Sequence, residues 1–198
     1  MAAVPKPVAR SAGPERQADP RLGRTQPDRA TVSFADASLV IEPLRQDHDR
    51  EAFACGVESL DRYIKTQAGQ DIRRGIARVF VAATVERPTT ILGYYTLSAT
   101  SVAAAELPPA IARRLPRYPI PAALIGRLAV AQATAGQGLG KVVLADAIKR
   151  TIAAAETLAV AVIVVDPIDD RAASFYAAFG FAELQAAPRH MVLALSIK

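Results

Sequence analysis

Apolar residues recur in this chain with two different periods, and the two kinds of segment alternate. Short runs that are mostly apolar or apolar at every second position occur at Leu39 to Leu44, Ala77 to Thr84, Thr90 to Ser98, Ala122 to Val130 and Ala159 to Val165. Their length and β-branched content predict strands. Other segments return to an apolar residue every three or four positions. Val57 to Arg74 gathers Leu60, Tyr63, Ile64 and Ala68 on one face, and the segment from Leu139 gathers Val143, Leu144, Ala147, Ile148 and Ile152. Both predict helices. A short helix is expected within Ala103 to Leu115, after Pro108-Pro109, and another over Asp169 to Phe179. Glu86-Arg87-Pro88 marks a turn between two strands, and Leu115 to Pro121 is a proline-stiffened loop. Phe181 to Leu184 and His190 to Ser196 predict a closing hairpin. The order of strand, helices, three strands, helix, strand, helix and strands predicts an α/β (α+β) fold: a mixed sheet of about six to seven strands with helices on both faces.

Residues 1–38 break this pattern. Five prolines alternate with Arg10, Arg16, Arg21, Arg24 and Arg29, with few large apolar residues between them. Such a stretch buries too little surface to offset its ordering entropy, so it is expected to be a disordered basic extension ahead of one folded domain at 39–198. The net charge of the 198-residue chain, +5, favours an anionic partner, either a nucleic acid or a phosphorylated cofactor. A single cysteine, Cys55, excludes an intrachain disulfide and a cysteine metal cluster, and His48 and His190 are too isolated to suggest a metal site. No long uncharged apolar run suggests a membrane span, and the N-terminus lacks the apolar block of a signal peptide. A cytoplasmic protein is expected.

Candidate chemistry centres on the passage from the Ala122 to Val130 strand into the Leu139 helix. Gly136, Gly138 and Gly140 remove side chains at alternate positions just before a helix begins. Free backbone N–H groups and the positive end of the helix dipole then suit an anion such as a diphosphate. The spacing is neither a Walker loop nor a dinucleotide fingerprint, and on its own it also fits a plain tight connection.

Further along, Phe175-Tyr-Ala-Ala-Phe-Gly-Phe181 completes an order of strand, glycine turn, helix, strand and aromatic helix end. This order resembles the GNAT acetyltransferase superfamily over about residues 39–196. Further pieces follow in sequence: Phe53-Ala-Cys-Gly56 with Leu60-Asp-Arg-Tyr63, Ala77-Arg-Val-Phe-Val81, Gly93-Tyr-Tyr-Thr-Leu-Ser98, Leu115-Pro-Arg-Tyr-Pro119, Gly126-Arg-Leu-Ala-Val130 and Val165-Asp166. Together they resemble the acetyltransferase toxins of type II toxin–antitoxin modules. Two positions depart from that pattern. Ala135 replaces the usual leading Gln or Arg of the turn, and Ala131 replaces an acidic residue after Arg-Leu-Ala-Val.

The resemblance implies an acetyl-CoA-dependent N-acetyltransferase that uses no metal. Its cofactor would lie on Leu128, Ala129 and Val130, with the diphosphate over Ala135, Gly136, Gln137, Gly138, Leu139, Gly140 and Lys141. A distortion in that strand would expose one N–H to the thioester oxygen. Tyr176 is the expected general acid, because a phenol is protonated at neutral pH and can donate to a departing thiolate. No strong general base is evident; Asp166, after the Val162 to Val165 strand, reads as a helix-capping or loop residue. That suits an α-amine substrate, which titrates near 7.7–8.0 and lower beside an ester, better than a lysine.

On this reading the substrate is aminoacyl-tRNA. Arg73, Arg74, Arg78, Arg113, Arg114 and Arg117 would meet its phosphates, and Tyr118 would stack on a base; the same arginines also fit a solvated basic face. Lys141 and Lys149 are further candidates for cofactor phosphate. Cys55 reads as a small buried residue rather than a nucleophile. The resemblance also implies a homodimer and a small ribbon-helix-helix antitoxin, with DNA reached only through that antitoxin. Two alternatives stand beside it. One is an acetyltransferase of protein N-termini or small amines. The other, motivated by Ala135, is a catalytically weakened acetyl-CoA- or antitoxin-binding protein.

Overall fold

Every second residue of the central strands is buried against a different helical layer. In the computed structural model, which describes residues 38–185 and 189–195, Tyr94 packs with Phe53, Tyr63, Ile64 and Val81 on one face of the sheet. Its neighbour Tyr95 packs with Ile125, Leu139, Val143 and Leu144 on the other. Both tyrosine rings are fully buried, each contributing on the order of 2–3 kcal/mol of transfer free energy. The extension expected over residues 1–38 falls, except for Ser38, outside the described residues, as does Ser196.

The chain begins with β1 (Leu39–Pro43) and continues through α1 (Glu58–Arg62), one π-helical turn (Tyr63–Gln67) and α2 (Ala68–Arg73). Next come β2 (Arg78–Thr84), β3 (Gly93–Val102), the short α3 (Pro109–Ala112) and β4 (Ile120–Val130). The long α4 (Leu139–Ala155), β5 (Val162–Val165), α5 (Asp170–Ala177), β6 (Ala182–Glu183) and β7 (Met191–Ala194) complete it. The seven strands lie in the order β1-β2-β3-β4-β5-β7-β6, and only β4 and β5 run parallel. A parallel neighbour needs a crossover, and α4 supplies it.

Three details depart from the sequence expectation. Strand β3 starts at Gly93 rather than Thr90, where β3 and β4 come very close: a Cβ on Gly93 would stand 3.0 Å from the Ala129 carbonyl. It then runs on to Val102 through Ala99, Thr100 and Ser101, which carry no apolar alternation but pair with Ala123, Ala122 and Pro121 of β4. The helical stretch from Val57 to Arg74 contains a π turn, which periodicity alone does not reveal.

Two polar anchors hold the layers. The Tyr94 hydroxyl donates to the Leu60 carbonyl (2.8 Å), tying α1 to β3. On the opposite face the Tyr95 hydroxyl donates to Asp146 of α4 (2.6 Å). Arg150 donates to the same carboxylate (2.8 Å) and to the Ile41 carbonyl of β1 (2.8 Å), while its guanidinium covers the Phe80 ring. This network fixes α4, and therefore the turn at its N-terminus, relative to the sheet.

Candidate active site

Strand β4 changes neighbours along its length. From Ala122 to Ile125 it is held between β3 and β5. Past Ile125 the β5 pairing stops, while pairing to β3 continues to Val130. At this point the register slips: Ile125 faces Leu97, Arg127 faces Thr96, and Gly126 between them is an extra residue without a partner. Such a bulge turns backbone groups out of the ladder. The open edge of β4 borders a cavity of about 80 Å³ lined by Gly126, Arg127 and Leu128, by Asp166 and Ile168 after β5, and by Tyr176 of α5.

The same strand leads into the glycine turn. Gly136 (φ 78°) and Gly138 (φ 88°) are left-handed, which L side chains rarely adopt, and a Cβ on either would meet nothing within 4 Å. The turn is thus a bare backbone surface open to a ligand. Gly138 caps α4 with no side-chain hydrogen bond. Two of the expected donors are spent inside the turn. The Gln137 N–H points to the Thr134 carbonyl (3.4 Å), and the Lys141 N–H donates to Gly138 (3.0 Å). No acceptor takes the amides of Gly136, Gly138, Leu139 or Gly140 among the described residues. These four unspent donors stand at the positive end of a 17-residue helix, an arrangement suited to an anion. Ala135 and Lys141 are exposed beside it. Lys149, ten residues along α4, is about 15 Å further down the helix axis, too far to share the same diphosphate.

Tyr176 is buried on α5 between Phe175 and Phe181, at ring-centroid distances of 5.3 and 5.5 Å. Burial, and then the nearby Asp166 carboxylate, push its phenol up to about 12. It is protonated throughout the neutral range, as a proton donor must be. Asp166 does not cap α5. That role falls to Asp169, whose carboxylate accepts from the Ala172 N–H (2.7 Å), while Asp166 hydrogen-bonds His190 (2.6 Å). The spacing of 24 residues between that pair carries no sequence signal; only the β5–β7 register brings the two together.

Arg127 projects to the opposite face and stacks over the Tyr63 ring, 3.7 Å from its centroid, an arrangement the sequence did not announce. Cys55 is half-buried, and burial, followed by Asp61, pushes its thiol up to about 11, so it is a protonated thiol rather than a nucleophile at neutral pH. Burial opposes ionisation of Asp61 itself. The amides of Cys55 and Gly56 outweigh that and hold its carboxyl below the usual range, pinning the loop ahead of α1.

The six arginines singled out by sequence are all exposed, and none joins an ion pair among the described residues. They form two groups. Arg73, Arg74 and Arg78 mark the passage from α2 to β2. Arg113, Arg114 and Arg117, with the exposed Tyr118, belong to the β3–β4 connection. Arg78 stands opposite Leu97, about 17 Å along β3 from the strand end at Val102, where the connection carrying the second group begins. Arg113 and Arg117 line a groove of about 570 Å³ with Leu107, Leu115 and Gln185.

Comparison with known proteins agrees with this geometry. The acetyltransferase (GNAT) family model matches residues 42–181. A tRNA-acetylating toxin of Mycobacterium tuberculosis is 36% identical over 145 residues, which cover 73% of this chain and 85% of the relative. Among solved structures, AtaT complexed with acetyl-methionyl-tRNAfMet aligns with a TM-score of 0.74 at 27% identity, covering 79% of this chain and 95% of that one. A tyrosine-to-phenylalanine mutant of AtaT, bound to the C-terminus of the antitoxin AtaR and to acetyl-CoA, aligns at 0.67 and 26% identity, covering 79% and 93%.

Proposed function

This chain belongs to the acetyltransferase (GNAT) family, and we propose that it transfers the acetyl group of acetyl-CoA to the α-amino group of an aminoacyl-tRNA, and so blocks translation as a toxin. The observation that carries the reading is the run of one strand from bulge to cradle. The open edge of β4 beyond Gly126 gives an extended ligand arm a backbone to pair with, and the strand ends at four unspent amides suited to a diphosphate. The reactive end of such a ligand then lies beside Tyr176.

The chemistry follows from these positions. Leu128, Ala129 and Val130 hold the pantetheine arm, and the amides of Gly136, Gly138, Leu139 and Gly140 hold the diphosphate. The amine lone pair attacks the thioester carbonyl, and the bulged backbone at Gly126 presents a donor to the oxygen as it gains charge. When the carbon–sulfur bond breaks, Tyr176 gives its proton to the thiolate. Exposed arginines on the β3–β4 connection and after α2 meet the RNA backbone, and Tyr118 stacks on a terminal base. The same reading places the protein in the cytoplasm with its charged-tRNA substrate. It makes the protein a homodimer held in check by a small ribbon-helix-helix antitoxin that carries it to DNA. The AtaT complex with AtaR supports the antitoxin.

Labelled acetyl-CoA with a mixed charged-tRNA pool tests the reading. Label should pass to the RNA with the wild type, and Tyr176→Phe should reduce kcat by about 10²–10⁴ while still binding acetyl-CoA. Label on peptide α-amines but not on RNA would replace the substrate while leaving the acyl transfer.

A further inference from the structure

Tyr176 can supply a proton but cannot take one, because its phenol is already protonated at neutral pH. Acyl transfer to an amine must also shed a proton from the attacking nitrogen. The acceptor for that proton is the one chemical role the motifs leave unfilled.

The β5–β7 register fills it. Val165 pairs with Met191, so the residue after β5 and the residue before β7, Asp166 and His190, stand opposite each other. Their side chains meet at 2.6 Å, Nδ1 to Oδ1. Asp166 lines the cavity that also contains Gly126 and Tyr176. His190 lies behind it, about half exposed to solvent. The turn that delivers His190 is strained: Arg189, a non-glycine residue, is left-handed (φ 76°). The His190 carbonyl is fixed by the Leu184 N–H (2.8 Å). A left-handed arginine next to His190 is backbone strain of the kind that clusters at functional sites.

We propose that Asp166 is the proton acceptor of the acetyl transfer and that His190 is its positioning partner, orienting the carboxylate toward the amine and passing the proton on to solvent. This rests on the acyl-transfer reading above. The nitrogen–carbon bond forms as the carbon–sulfur bond breaks. The proton lost by nitrogen goes to Asp166 and on through His190 to water. The proton gained by the thiolate comes from Tyr176, which water then restores. No oxidant or further reactant is needed. The charged and titratable groups around the pair are Tyr176 and Asp170 on α5, Asp169 at its N-cap, Glu183 on β6 and Arg189, which approaches Asp170 at 4.0 Å; the Arg127 guanidinium lies over Tyr63 on the other face.

The alternative is an ordinary surface pair, which adds little to stability and nothing to rate. Steady-state acetyl transfer between about pH 6 and 9 separates the two, using full-length wild type, Asp166→Asn and His190→Gln. A charged-tRNA acceptor and a short peptide with a free α-amine are assayed side by side. Both variants should lose about 10- to 100-fold in kcat, with acetyl-CoA affinity within about twofold of wild type. The acidic limb of Asp166→Asn should move up toward the titration of the amine itself, near 7.7–8.0 for the peptide and lower for the aminoacyl ester. Unchanged kcat and pH profile in either variant overturns the assignment. So does loss of acetyl-CoA binding at unchanged kcat, which would place the pair in cofactor binding. If Asp166→Asn does not fold, as judged by failure to bind acetyl-CoA, His190→Gln decides alone. Wild-type transfer to the peptide only would dismiss tRNA as substrate while the same variants still test the pair. Transfer to neither amine overturns both.

Discussion

At the level of single residues, the glycines of the turn do different jobs despite their even spacing. Gly136 and Gly138 are needed for backbone conformation, whereas Gly140 is inside α4 and a Cβ there would make ordinary contacts with Val130 (3.7 Å) and Phe175 (3.8 Å). Gly138→Ala should therefore cost about 1–2 kcal/mol and weaken acetyl-CoA binding. Gly140→Ala should leave the melting temperature unchanged or slightly raised, since alanine is the better helix former. Thermal unfolding of the two variants side by side checks this. The alternate glycines and Tyr176 were readable because each is part of a short local motif. The division of labour among the amides was not, since it depends on which N–H groups the turn consumes itself. Of the two readings of Asp166, cap or loop residue, the structure gives the loop. The cap is Asp169, where the predicted helix begins.

At the level of elements, α4 is the piece that must be held still if its first turn is to hold the cofactor diphosphate as proposed. The Asp146 carboxylate accepts from both Tyr95 and Arg150, and Arg150 reaches across to the Ile41 carbonyl of β1. Burial, then the hydrogen bond to Asp146, raise the Tyr95 phenol well above its ordinary range, so it is a donor at any physiological pH. Asp146→Ala should lower stability by about 1–3 kcal/mol in urea titration by stranding the buried phenol. Acetyl-CoA affinity, measured well below the melting temperature, should change little. The apolar stripe of α4 was legible at its 3.6-residue period, but the polar network on its flank was not. Its members come from four different elements. The strand β3 likewise ran past its predicted end because pairing with β4, not its own composition, sustains Ala99 to Ser101.

At the level of the whole molecule, charge is distributed rather than concentrated, with one arginine group after α2 and another in the β3–β4 connection. If tRNA phosphates meet the groove by Arg113 and Arg117, replacing both with alanine should raise KM for charged tRNA. It should also flatten the dependence of log KM on log salt by about 0.7–0.9 for each phosphate that is no longer neutralised. Acetyl-CoA binding should be untouched. A salt slope equal to wild type would remove this groove from the RNA path. The alternation of strands and helices announced the fold class and the strand count. The placement of β7 between β5 and β6 came only from the structure, and with it the meeting of Asp166 and His190.

The half-free strand β4 has one more consequence. A row of unsatisfied amides and carbonyls in mid-sheet is a template on which any extended chain can assemble, the hazard that sheet proteins ordinarily suppress at their borders. Here the gap cannot be closed without closing the enzyme. Arg127, braced against Tyr63, puts a charge on that stretch, the kind of residue that disfavours mispairing at an open edge. A ligand paired along this edge would cover it, so acetyl-CoA is expected to slow aggregation of the protein, as read by light scattering with and without it.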